Sequence, residues 1–212
     1  MKQALDRGDL CILNYLENQL ISGYDEQGFI LLRSWENCEP QTEIATITAG
    51  TWDECLGKEG WAYVTFITRG AETEPILLSA REALQTAAEL YGEGSQYQMD
   101  RYRIGKSAFE TWIAGISAGL GSSHGHWWNA TVWSECRAQA AEFFQELSEL
   151  TDNEESTRLC DDLQAVCKAT SAAIAGAGNR EQHAAEQERL LRDAAAREAQ
   201  AVGLMKNLAG VL

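Results

Sequence analysis

Near residue 77 the apolar pattern of this chain changes period, and that switch limits its possible folds more than any single motif does. Before it, short apolar runs stop at turn residues. CILNYL, NQLISGY, FILLRSW, TEIATIT and WAYVTFIT all read as strands, the last suited to burial on one or both faces. Asp25, Glu26, Gln27 and Gly28 form a turn in which Gly28 can take a positive φ. Tight turns of this kind favour antiparallel pairing. Pro40 and the 49–60 region supply further connections.

After the switch the spacing is helical. SAREALQTAAELY is rich in good helix formers, with Ser79 and Glu82 placed as a capping box. A second helix puts Gly105, Phe109, Trp112, Ile113, Ile116 and Leu120 on one face. A third starts near residue 126 and lines up Val132, Cys136, Ala140, Phe143, Phe144 and Leu147. A fourth carries Leu159, Leu163, Val166, Cys167, Thr170 and Ile174 and ends at GAGN. The last, roughly 180–208, has a narrow stripe of Gln187, Leu190, Leu191, Ala194, Ala201 and Met205. It can pack edge-on, protrude or pair with a second copy. Strands followed by helices predict an α+β fold: a small antiparallel sheet (1–76), a helical subdomain packed on it (77–178) and a C-terminal helix (179–212).

Charge narrows the function. A net charge of −15 disfavours nucleic acid and anionic membrane surfaces. No run approaches the length of a transmembrane helix, and MKQALDRGDL has no apolar core of a secretory signal. The six cysteines form no CxxC pair, so free thiols in a bacterial-type cytoplasm are expected. GEGS and GAGN lack phosphate-binding spacing and read as caps and turns. No cofactor is called for.

The densest polar and aromatic cluster is SSHGHWWN. In a loop, His124 and His126 could share a metal; on a helix, spacing of i, i+2 forbids it. The plainer reading is a helix N-terminus capped by Ser122 or Ser123, with His124 exposed and Trp127 and Trp128 packed on the sheet. A ligand-binding role remains open for His124, His126, Trp127, Trp128 and Asn129, the last pointing inward. Cys136 reads as a core thiol, and Cys11 lacks a nearby histidine. Glu17 either faces a cleft, where burial would raise its pKa, or sits at a strand edge in water. Seven tryptophans can line an apolar pocket or fill the seam between helices and sheet.

Several of these pieces together resemble papain-like domains of the butirosin biosynthesis protein H type, related to bacteriocin-processing cysteine peptidases. ISGYDEQGFILLRSW looks like their central hairpin. WAYVTFITRGAETEPILLSAREALQTAAEL is similar to their last strand and the Pro-marked helix after it. RIGKSAFETWIAGI and HWWNATVWSECRAQAAEFFQEL resemble the two helices that follow. The similarity spans most of residues 5–175.

That resemblance implies a thiolate–imidazole dyad, and the chain departs from it. The family's cysteine helix would precede the hairpin, and the chain begins too close to the hairpin to hold it. The family's histidine falls where this chain has Glu17. The expectation is therefore a degenerate or truncated papain-like remnant without catalytic residues, acting as a binding or scaffold protein for a small molecule or peptide. The alternative is a cysteine-dependent acyltransferase or amide hydrolase completed by a missing N-terminal segment or a partner chain. In that case an open hydrophobic surface should mark where the missing part docks.

Overall fold

A computed structural model describes residues 1–15, 17–32, 46–47, 63–68, 70, 75–92 and 100–212; at 14–15, 17–18, 32, 46–47 and 63 it describes the backbone only. The chain divides into two compact units, Met1–Thr73 and Glu74–Leu212. The C-terminal helix belongs to the second unit. The α+β class expected from the change of period is what the structure has.

The first unit opens with a one-turn helix, α1 (Lys2–Asp6), where sequence periodicity shows only strands. A helix this short leaves no readable repeat. The strands are β1 (Leu10–Tyr15), β2 (Glu17–Tyr24), β3 (Phe29–Leu32), β4 (Thr46–Ile47) and β5 (Tyr63–Ile67). All pair antiparallel, in the order β4-β3-β2-β1-β5. The turn between β2 and β3 forms as its residues dictate. Asp25 Oδ1 accepts the backbone N–H of Gln27 at 2.7 Å and of Gly28 at 3.0 Å, and Gly28 has φ 150°. Of TEIATIT only Thr46 and Ile47 fall among the described residues. Trp35, Trp52, Trp61, Cys38, Cys55, Pro40 and the 49–60 connection lie outside them.

Residues directly opposite on paired strands share a face, and faces alternate along each strand. Cys11, Leu13, Ile21 and Leu31 fill one face and are buried with Ala4 of α1. Leu10, Ile12, Leu20, Ile30 and Ile67 share the other face by register. There Leu10 is 51% exposed, Ile67 46% and Ile30 39%. The expected burial of β5 is thus corrected. It is an edge strand, and even Phe66, opposite the buried Cys11, is exposed.

The second unit contains α2 (Ile76–Tyr91), α3 (Gly105–Ser117), a 3₁₀ turn (Leu120–Ser122), α4 (His124–Leu150), α5 (Glu154–Ala177) and α6 (Ala184–Val211). The capping box at Ser79 and Glu82 does not form. The helix starts earlier, because the Pro75 carbonyl accepts the N–H of Leu78 and of Ser79. Side-chain caps do start α4 and α5. Ser123 accepts the N–H of His126 at 3.1 Å, and Asn153 accepts that of Glu155 at 2.9 Å.

Helix α5 is central, packing along both α4 and α6, while α6 also lies against α2 and α3. Leu159, Leu163, Val166, Cys167, Thr170 and Ile174 are all buried, as their spacing predicts. Of the α6 stripe, Gln187, Leu191, Ala194 and Ala201 are buried and Leu190 and Met205 half-buried, and the helix packs along α5, α2 and α3 rather than protruding.

Helix α4 differs from expectation. Cys136 is exposed, Phe143 is 40% exposed and Val132 only half-buried. The buried residues are His126, Ala130, Ala141, Phe144 and Leu147. Positions 133 and 137 complete that stripe at spacings of three and four residues, but they hold Trp and Arg. The apolar pattern skips them, which displaces the apparent face by one residue. Leu120, in the 3₁₀ turn, leaves its expected helical face and is 56% exposed.

Candidate functional site

Where Trp133 and Arg137 interrupt the α4 stripe, the helices do not close on each other. They leave a cavity of about 450 Å³, within the roughly 300–1,000 Å³ typical of ligand sites. Its walls come from all five helices of the second unit and from the extended residues before α3. Leu90, Phe109, Ala140, Val202 and Met205 make it largely apolar.

One wall carries charge. Arg137 Nε donates to Glu198 Oε2 at 2.8 Å, and Nη2 donates to Oε1, so the pair is bidentate. Both side chains are mostly buried, 19% and 15% exposed. The guanidinium lies over Trp133, 5.0 Å from the ring centroid. Burial alone would lower the pKa of Arg137, but the hydrogen bond and charge of Glu198 outweigh it and raise it. Glu198 occupies an interior position of α6, four residues after Ala194 and three before Ala201. It was missed for the same reason as Arg137. The usable signal was two opposite charges, each filling a gap in an apolar stripe.

Two further groups line this cavity. Burial, and then the charge of Glu198, push the Cys167 thiol from the ordinary 9.0 to about 11, although Arg137 opposes the shift. At neutral pH it is a protonated, inert thiol. Tyr91 is held above the usual phenol range by burial, then by Glu198 and Glu110, so its hydroxyl stays a donor. No histidine lines the cavity. The described residues thus offer an apolar surface beside a charged wall.

The residues singled out from the sequence lie elsewhere. Glu17 begins β2, opposite Tyr15, and its side chain is outside the described residues. His124 and His126 lie on α4, so their spacing cannot serve one metal, and among the described residues no group of His, Cys, Asp and Glu could hold one. His126 is buried with both ring nitrogens engaged. Trp112 donates its indole N–H to Nδ1 at 2.9 Å, and Nε2 lies 2.7 Å from the Ala177 carbonyl. The indole can only donate and the carbonyl only accept, so Nε2 carries the proton. Through these bonds His126 ties α3, α4 and the end of α5 together.

His124 is exposed, as the helix-start reading expects, with its ring 5.2 Å from that of Trp127 and 6.2 Å from that of Trp128. Both tryptophans are half-buried. Asn129 is exposed, correcting its inward orientation; it follows the half-buried Trp128 on the outer side of α4. Trp127 also borders an open depression of about 370 Å³ with Asn179, Arg180 and Glu181. Trp128, Asn129 and the two histidines line neither that depression nor the central cavity.

Compared with known proteins, the chain matches no family model, no curated protein and no solved structure.

Proposed function

We propose that this chain is a non-catalytic binding protein, a papain-like remnant of the butirosin biosynthesis protein H type that holds a small molecule in its helical unit. The observation that carries this reading is the cavity of about 450 Å³ walled by apolar side chains and the Arg137–Glu198 pair. Three features support the absence of thiol chemistry. Cys167 is held protonated, His126 has both nitrogens engaged, and the hairpin has Glu17 where active relatives have histidine. The net charge of −15 supports a partner other than nucleic acid. Among the described residues no helix is long and apolar enough to cross a membrane. The free thiols at Cys11, Cys136, Cys160 and Cys167 support a reducing cytoplasm.

The test is titration with decanol and decanoate, followed by tryptophan fluorescence, on the wild type and on Ala87→Phe. Ala87 is half-buried on the cavity wall, so the larger ring fills the space from α2. Saturable binding that Ala87→Phe abolishes supports the reading. No saturable binding, or binding that Ala87→Phe leaves intact, overturns it.

One observation favours a second reading, a cysteine-dependent acyltransferase or hydrolase completed by a further segment or partner chain. The exposed face with Leu10, Ile30 and Ile67 is the kind of open apolar surface such a segment would cover. A buried cysteine (Cys11, Cys160 or Cys167) reacting with iodoacetamide faster than the exposed Cys136 would support it. Labelling confined to Cys136 would count against it.

A further inference from the structure

We infer that the molecule held in the central cavity is an anionic amphipath: one acyl or aromatic body with a free carboxylate that Arg103 receives. This rests on the binding reading above and adds the chemical class of the ligand.

Among the described residues three charged side chains line the cavity: Arg103, Arg137 and Glu198. Glu198 takes both of its hydrogen bonds from Arg137 in a bidentate pair, so the acid described on the wall is already neutralised. Arg103 is left over. Among the described residues it makes no ion pair and no hydrogen bond, and it is exposed at the rim. The wall therefore carries one unmatched positive charge in a chain of net charge −15. A cationic ligand would find no free carboxylate among the described lining residues. A neutral one would gain only apolar contact. An anion gains a guanidinium whose planar donors match carboxylate geometry.

The backbone fixes Arg103 where it is needed. Gly105 starts α3 with φ +56°, so tightly against Tyr91 that a β-carbon there would lie 2.2 Å from the Tyr91 carbonyl oxygen. That contact joins the segment carrying Arg103 to the end of α2. Tyr91 and Arg103 both line the cavity. A carboxylate bound by Arg103 would leave its apolar part to reach Phe109, Val202 and Met205. The volume of about 450 Å³ suits a single chain or ring system.

The experiment compares decanoate, decanol and decylamine by calorimetry on the wild type, Arg103→Gln, Arg103→Lys and Ala87→Phe. Charge-assisted recognition should make decanoate bind about ten-fold or more tightly than decanol, with decylamine weakest. Arg103→Gln should bring decanoate down to the affinity of decanol and leave decanol unchanged, and Arg103→Lys should restore part of the difference. Added salt should erode the decanoate advantage alone. If decanol or decylamine binds as well as decanoate, or Arg103→Gln changes all three alike, the anionic inference fails while the cavity reading stands. If none of the three binds, or Ala87→Phe leaves binding intact, the cavity reading fails and takes the inference with it.

Discussion

Trp112 and His126 meet through one hydrogen bond, indole N–H to Nδ1 at 2.9 Å, and it determines what the histidine can do. With Nδ1 accepting and Nε2 donating to Ala177, the imidazole is a neutral bridge between α3, α4 and the end of α5. Removing it leaves a half-buried indole N–H and a buried carbonyl unpaired, the latter costing about 1–3 kcal/mol. His126→Ala should therefore lower the stability of the helical unit by about 2–4 kcal/mol in urea denaturation. His124→Ala, on an exposed side chain, should cost less than about 0.5 kcal/mol.

Ser156 is the reverse case. Its hydroxyl is buried, with the residue 1% exposed, and has no hydrogen-bond partner among the described residues. A buried polar group that finds no partner gives up hydration for nothing. Ser156→Ala should leave the midpoint of thermal unfolding unchanged or raise it by a few degrees. A clear drop would mean that the hydroxyl makes a bond after all.

Two glycines should respond to the same substitution with opposite signs. Gly105 combines φ +56° with backbone contact at Tyr91, and a carbonyl cannot swing aside as a flexible side chain can. Gly105→Ala should cost more than about 2 kcal/mol, because strain and overlap add. Gly203 lies in α6, exposed, with nothing within 4 Å of an added β-carbon. Gly203→Ala should stabilise by about 0.5–1 kcal/mol through helix propensity. Chemical denaturation of both variants checks the signs.

The legible parts of the molecule are those where apolar spacing follows packing. Helix α5 touches neighbours on two sides, and its stripe from Leu159 to Ile174 is buried as written. The hairpin turn is legible because Asp25 and Gly28 act locally. Helix α1 is not, because five residues carry no period. The face of α4 was misplaced at Cys136 and Phe143 because the interior register holds Trp133 and Arg137. The candidate site escapes an apolar pattern for the same reason. A cavity with an ion pair in its wall is a place where apolar residues are missing from the stripe. SSHGHWWN is conspicuous in sequence for its composition, yet its buried histidine serves to join helices.

The Arg137–Glu198 pair should show strong coupling. Breaking a buried pair from one side leaves the other charge without its partner, which costs more than losing both. Arg137→Met should destabilise by about 2–4 kcal/mol, a range allowing for the residual exposure of both side chains. Arg137→Met with Glu198→Leu should recover much of that. A double-mutant cycle in urea should give a coupling of at least about 1 kcal/mol. Simple additivity would show that water screens the pair.

The buried thiols predict the response to alkali. Burial is the main reason that Cys160 and Cys167 are both raised from 9.0 to about 11, with Asp161 adding to the shift at Cys160 and Glu198 at Cys167. The folded state therefore keeps both protonated over a range in which the unfolded chain ionises them. Their contribution to stability is fully present below pH 9 and is lost as pH rises toward 11. Urea midpoints should fall over that interval more steeply in the wild type than in Cys160→Ala/Cys167→Ala, which has no thiol to ionise at either position. The same protonation and burial set the labelling order. In the native protein, peptide mapping after iodoacetamide treatment should find Cys136 modified, with Cys11, Cys160 and Cys167 protected until urea unfolds the chain. Fast native labelling of Cys167 would mean that its thiolate is stabilised in the cavity, and would turn the site from a binding pocket toward a reactive one.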